Sequence, residues 1–429
     1  MNTKIFKKPS YGTAFLQSGH VSFLPSNLIV TLAMFLLIQV TPFSCAFFQQ
    51  EFISITWKVD ESILVDSSTD FSSIVKINGL ARAFNVSYPN YDWCTPDYKH
   101  THPTGLLYVK NPKAASTTTA GVAHRIARRV PLAHDKGTTA CTAKVNHIPN
   151  YHVGPTFGGR DKERSFLFST VRDPAKRAIS RIFFSDVSWH GNKPTDENVL
   201  KWLNNTDSQK GSISPGMGGF QLPYLSLSRI EAYSAWSPDQ AMPVDSLGNM
   251  VINPSAVHEN VRRVIDQYDF LIIVERFDES LVAMQLLLDL SVTDFLYLSS
   301  KHTGDYWMNG GCIYLHKAFV SAAVEDYLTS PLWYAQNYGD YLLLEAASQS
   351  LDLTIEQLGV ERFRKALDEF LSLRDKAEQK CDGKAVFPCT AEGIPQGELA
   401  KSHCYSKDQG CGYPCLDEFS RNLVEPSSE

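Results

Sequence analysis

Residues 105–119 read Gly105-Leu106-Leu107-Tyr108-Val109-Lys110-Asn111-Pro112-Lys113-Ala114-Ala115-Ser116-Thr117-Thr118-Thr119. The first five are an uncharged apolar run, which predicts a buried strand. Asn111-Pro112 breaks it with a tight loop. Ser116 then opens a helix to about Arg129, in which Ala123, Ile126, Ala127 and Val130 recur at i, i+3, i+4 and i+7. Strand, loop and helix in this order form the unit from which parallel sheets are built.

The same stretch carries candidate chemistry. The first turn of a helix has unpaired N–H groups and the positive end of the dipole, a setting that suits phosphate or sulfate. Lys113 adds a mobile charge, Ala114 and Ala115 let the backbone approach closely, and Ser116, Thr117 and Thr118 add hydroxyl donors. This is not a Walker A loop, because the glycines are missing and the lysine stands three residues before the hydroxyls. The competing reading is an ordinary helix well capped by Ser and Thr.

Two further units follow. Ser165 to Thr170 (SFLFST) predicts a second buried strand, and Val171-Arg172-Asp173-Pro174 leads into a helix with Asp173 as N-cap and Pro174 as its first residue. Ala178, Ile179, Ile182 and Phe183 form its apolar stripe. Arg172 stands at the carboxyl end of the strand, the edge where parallel sheets bind ligands. Its planar fork suits a phosphate, and Ser180, two turns into the helix, is placed to reach the same anion. Pairing of Arg172 with a surface acid is the alternative. Asp269 to Val274 (DFLIIV) predicts a third strand, with Asp278 capping the next helix. Glu275 and Arg276 read as an ion pair or helix start. Two later helices are expected over 331–350 and 355–377, the second opened by Thr354 and Gln357 in capping-box spacing. Arg125, Arg128 and Arg129 read as a solvated face. Residues 185–265, rich in Gly, Pro, Ser and Asn, read as acceptor-binding loops in which Trp189, Trp202 and Trp236 offer aromatic faces.

The fold class expected is therefore α/β: a three-layer αβα domain with a mostly parallel sheet, like P-loop nucleotide-binding proteins, over 101–380. With 429 residues and a net charge of −6, the chain has room for one large domain or two modest ones and lacks a global basic field for nucleic acid. Residues 28–48 (LIVTLAMFLLIQVTPFSCAFF) carry no charge. At about 1.5 Å per helical residue they match a bilayer core of about 30 Å. Lys4, Lys7 and Lys8 precede them and acids follow, which predicts a cytosolic tail over 1–27 and a lumenal body. A signal peptide cleaved near Ser44-Cys45-Ala46 and a buried core helix are the rival readings. Residues 49–100 read as a stem. Two sequons, at Asn85 and Asn204, and eight cysteines beyond the apolar span fit an oxidising compartment. Five of those cysteines crowd into 381–415, so 381–429 is expected to be a small disulfide-stapled appendix. A zinc site near His403 and Cys404 is disfavoured, because the close pair Cys411 and Cys415 has no matching second pair.

The segments LLYVKNPKAASTTT and FLFSTVRDPAKRAIS together resemble the paired 5′- and 3′-phosphate motifs of Golgi sulfotransferases that use PAPS (3′-phosphoadenosine 5′-phosphosulfate). FLIIVERFDESLVAMQLLL resembles the matching stretch of galactose 3-O-sulfotransferases, and the strand–loop arrangement resembles heparan and uronosyl 2-O-sulfotransferases. The resemblance covers roughly residues 102–350. It implies PAPS as co-substrate with no metal required, a glycan or glycoconjugate acceptor, and a single-pass type II Golgi membrane protein; it allows a homo-oligomer. Lys113 matches the lysine on the 5′-phosphosulfate and bridging oxygen. Ala114, Ala115, Ser116, Thr117 and Thr118 match the 5′-phosphate loop, and Arg172 and Ser180 match the pair on the 3′-phosphate. Ala-Ala-Ser stands where many members have Thr-Gly-Gly or Thr-Ala-Ser. Sulfuryl transfer also needs a base for the acceptor proton. His147 and His152 lie between the two motifs, near where the related families place a histidine. His147 is favoured because it closely follows the expected strand Cys141 to Val145. Two rival functions are a non-catalytic lumenal glycan-binding protein and an ATP-dependent P-loop-like kinase.

Overall fold

The structure, a computed structural model, describes residues 74–78, 105–134, 144–146, 157–163, 165–203, 219–226, 254–298, 306–308, 311–381, 390, 394–395 and 413–424. His147, His152, Trp236, the apolar stretch 28–48 and nearly all of the stem lie outside these residues. Among the described residues no helix is long and apolar enough to cross a membrane.

The fold is a mixed α/β one, mostly helical, around a small parallel sheet. Strands β1 (Gly105–Val109), β2 (Lys144–Asn146), β3 (Ser165–Val171) and β4 (Phe270–Ile273) run in the order β2-β1-β3-β4, all parallel. Every residue of β1, β3 and β4 is buried. Side chains alternate across a strand, so burial at both parities means that both faces of the sheet are covered, as parallel sheets require. Helix α1 (Ser116–His134) packs on β1 and β2. Strand β3 leads through Asp173, whose carboxylate accepts the Lys176 N–H at 2.9 Å, into α2 (Pro174–Ile182).

Beyond α2 the chain widens into a π-helical turn (Phe183–Trp189), followed by α3 (Asp196–Leu203), the short α4 (Gln221–Leu225) and α5 (Pro254–Gln267). The expectation of irregular loops over 185–265 therefore gives way, where described, to helical segments. Val257, Val261, Val264 and Ile265 of α5 are buried at helical spacing. Strand β4 continues through a single 3₁₀ turn (Val274–Arg276) into α6 (Phe277–Leu288). Asp278 does not cap α6; it lies inside the helix and accepts from Tyr297 Oη at 2.8 Å, with Arg374 on its other oxygen. An antiparallel pair, β5 (Tyr306–Met308) and β6 (Gly311–Ile313), stands outside the main sheet.

Four helices follow: α7 (Ala322–Leu328), α8 (Pro331–Gln336), α9 (Tyr338–Leu358) and α10 (Val360–Cys381). The break between the last two falls at Gly359, whose φ of +87° closes α9. Thr354 is no cap: it is buried within α9, donates to Ser350 O at 2.7 Å and accepts from Asn78. Helices α6 and α9 pack on β4.

The C-terminal helix α11 (Tyr413–Val424) packs on α10 and is joined to it by the Cys381–Cys415 disulfide. Tyr413, Cys415, Leu416 and Phe419 belong to the main hydrophobic core, so this part of the expected appendix is built into the domain. Arg125, expected on a solvated face, is fully buried beneath α11. Its Nε pairs with Asp417 at 3.0 Å, Nη2 donates to Ser420 Oγ at 2.7 Å, and Nη1 reaches the carbonyls of Thr293 and Leu296. Helical periodicity alone could not anticipate this, because the cover arrives from the far end of the sequence.

Candidate functional site

The loop between β1 and α1 has an unusual backbone. Lys113 and Ala115 adopt φ of +66° and +52°, whereas Ala114 between them stays negative. Alternation of this kind turns successive N–H groups to one side and makes a concave anion receptor, the geometry called a nest. Left-handed conformations cost non-glycine residues about 1–2 kcal/mol each, and such strain concentrates at ligand sites. The first helical bond of α1 is Thr119 N–H to Ala115 O at 3.1 Å. The N–H groups of Ser116 and Thr117 precede it, in the first turn where a helix supplies no internal acceptor. Ala114, Ser116 and Thr117 are buried, and the Lys113 ammonium sits 3.9 Å above the ring of Phe184 on the π-helical turn.

The second segment lies beside the first because β1 and β3 are neighbours, with Val109 opposite Ser169. Arg172 emerges from the end of β3 and donates from Nη1 to the carbonyl of Lys113 at 2.8 Å. Its Nε is buried with no hydrogen-bond acceptor among the described residues. Burial pushes the guanidinium below its ordinary value, and Glu275 and Asp173 pull it back up. Ser180 lies half-buried on α2, and among the described residues no hydrogen bond joins it to Arg172.

The residues that hold these loops together are not among the motif residues of the sequence. Gln221, fully buried at the start of α4, accepts from Asn111 Nδ2 at 3.0 Å and from Arg172 N–H at 2.9 Å, and donates to Arg172 O at 2.7 Å. Asn111 also donates to Thr170 O at 2.8 Å. Asp340 on α9 receives the N–H groups of Phe220, Gln221 and Leu222 at 3.0, 2.9 and 2.8 Å. Burial raises its carboxyl to about 6, against the pull of Arg177 and of these N–H groups. Arg177 is itself fully buried, 4.0 Å above the Phe220 ring, and burial lowers it to about 10. No local sequence signal marks Gln221 or Asp340, since their partners lie tens to more than a hundred residues away.

Glu275 accepts the Asp173 N–H at 3.2 Å and faces Lys176 at 3.8 Å. Arg276 pairs with Glu279 and Asp352. On the outer side, Trp189 is 42% exposed, lies edge-on to Phe184 and stacks on His190. Trp202 is half-buried against the second, smaller core around Ile179, Phe183 and Trp333.

The arrangement is a strained, lysine-bearing nest and a half-buried arginine fork at one edge of a parallel sheet. It can hold anionic oxygens from two sides. Compared with protein-family models, curated proteins and solved structures, the chain matches none.

Proposed function

We propose that this chain is a PAPS-dependent sulfotransferase acting on a carbohydrate hydroxyl, on a P-loop-like three-layer αβα domain held in the Golgi lumen by a type II anchor at 28–48. The observation that carries the reading is the meeting of the Lys113 nest and the Arg172 fork, with the buried Nε of Arg172 unpaired among the described residues. One anion cradle suits a 5′-phosphosulfate, and a second cationic group beside it suits a 3′-phosphate.

The chemistry follows from these parts. The acceptor oxygen attacks sulfur in line, and the bond from sulfur to the bridging phosphate oxygen breaks. The electron pair leaves with that oxygen on adenosine 3′,5′-bisphosphate (PAP). Lys113 and the nest N–H groups of Ala115, Ser116 and Thr117 face the charge that grows there, the kind of fixed electrostatic stabilisation that lowers such barriers. The acceptor proton passes to a base, the role we assign to His147, with His152 as its competitor. Ser180 completes the 3′-phosphate side. Trp189 supplies an aromatic face for the sugar ring near Phe184 and Lys113.

Titration calorimetry with PAP and with Mg·ATP tests the donor, and transfer of radiolabelled sulfate over a glycan panel tests the reaction. We expect PAP to bind and ATP to bind weakly or not at all, and Lys113→Ala to abolish transfer. No PAP binding removes the enzyme reading; a preference for ATP replaces it with a kinase.

A further inference from the structure

Resting on that donor reading, we infer that Gln221, fixed by Asp340, is the positioning residue that sets the gap between the Lys113 loop and the Arg172 loop. Gln221 touches no proposed reacting atom. Its side chain is completely buried between the ends of β1 and β3. The Oε1 atom uses both lone pairs, one on Asn111 at 3.0 Å and one on the Arg172 N–H at 2.9 Å. Nε2 closes the circuit on Arg172 O at 2.7 Å. One amide therefore ties the first loop to the second, and no other residue type offers a donor and an acceptor in this planar arrangement except the shorter Asn.

The tie is anchored from behind. Helix α4 has only five residues, too short to hold its own place. Asp340 accepts the N–H groups of Phe220, the N-cap of α4, and of Gln221 and Leu222, its first two residues, and stands on α9, which packs directly on β3 and β4. Gly219 leads into α4 at a φ of +63°, and a Cβ there would lie 2.7 Å from Asp340 Oδ2. The approach of carboxylate to backbone is thus close enough to require glycine. Position is passed from α9 through Asp340 to Gln221, and from Gln221 to both loops at once.

A ligand with phosphates at both ends gains from this only if the spacing holds, because the second contact is then effectively intramolecular. The experiment compares PAP with 5′-AMP, which lacks the second phosphate, by calorimetry on the full chain. Wild type is expected to prefer PAP. In Gln221→Glu, which keeps an acceptor for Arg172 N–H but turns the donor into a second acceptor, the preference should shrink about tenfold, with 5′-AMP binding little changed. Equal loss of both ligands would reduce Gln221 to a purely structural role, and an unchanged preference would overturn the inference while leaving the donor reading intact. Absence of any PAP preference in wild type would sink both. Should the variant fail to fold, amide exchange on wild type decides: the Arg172 N–H must be protected before any nucleotide is added, and rapid exchange in the free protein refutes the tie.

Discussion

The guanidinium of Arg172 donates to the backbone carbonyl of Lys113 at 2.8 Å, so the side chain of one motif braces the main chain of the other. The Nε of the same group is buried and, among the described residues, unpaired, where a missing acceptor costs about 1–3 kcal/mol. A bound oxyanion would recover that cost, as the proposed donor site requires.

Arg172→Lys is therefore not a conservative change. An ammonium can meet the Lys113 carbonyl or the ligand, but it has no fork to serve both. We expect about a tenfold loss of PAP affinity with a melting temperature close to wild type, and a larger loss for Arg172→Ala. Calorimetry alongside thermal melts checks this; a lysine variant that binds as tightly as wild type would show that the fork is not used.

Ala115 tests the nest. A glycine there adopts φ of +52° without the Cβ penalty, so Ala115→Gly should keep nucleotide binding. A β-branched residue at that angle is a true outlier. Ala115→Val should cost about 2 kcal/mol of stability and weaken PAP binding at least tenfold by collapsing the loop. Denaturant melts and calorimetry give both readouts, and a valine variant with normal binding refutes the receptor geometry.

Asp340 sets a pH dependence whose sign is fixed by its surroundings. Burial lifts its carboxyl from 3.8 to about 6. The groups facing it are Arg177 from α2, the N–H groups of 220–222 from α4, and Tyr341 on its own helix. A raised acid binds its proton more readily folded than unfolded, so this group's contribution to stability grows as pH falls through about 6 toward 4. Asp340→Asn lacks that titration. The stability of wild type relative to the variant should therefore increase between pH 7 and pH 4.5, and a gap that stays constant or narrows over that window contradicts the assignment.

The C-terminal clasp can be tested by reduction. Cys381 and Cys415 close a loop with a sequence separation of 34. Cys415→Ser should cost about 2–4 kcal/mol in non-reducing denaturation, with a larger effect on folding yield than on PAP affinity, since the disulfide joins α10 to α11 and neither helix carries a loop residue.

How much of this could be read from sequence follows the range of each interaction. The strand–loop–helix units around Lys113 and Arg172 and the Asp173–Pro174 helix start were legible, because each depends on neighbours within a few residues. The interior of α9 was misread at Thr354, where capping-box spacing looked like a start but the side chain bonds one turn back to Ser350 and across to Asn78. Gly359 marked the true break. Arg125 looked solvated because its cover, Asp417 and Ser420, lies 292 and 295 residues away. Gln221 was invisible for the same reason: a lone glutamine has no pattern until the topology brings Asn111 and Arg172 to it. The histidines proposed as base lie outside the described residues.

The burial of Arg125 under α11 also orders events in time. A ribosome makes the Lys113 loop and its helix early, yet the partners of that buried guanidinium, Asp417 and Ser420, emerge almost three hundred residues later. Until then the guanidinium has the carbonyls of Thr293 and Leu296 but neither its carboxylate partner nor the helix that covers it, so this corner of the core stays open. The final packing of this corner therefore waits on residues 413–424, and a chain halted before them would carry an intact Lys113 loop beside an uncovered guanidinium.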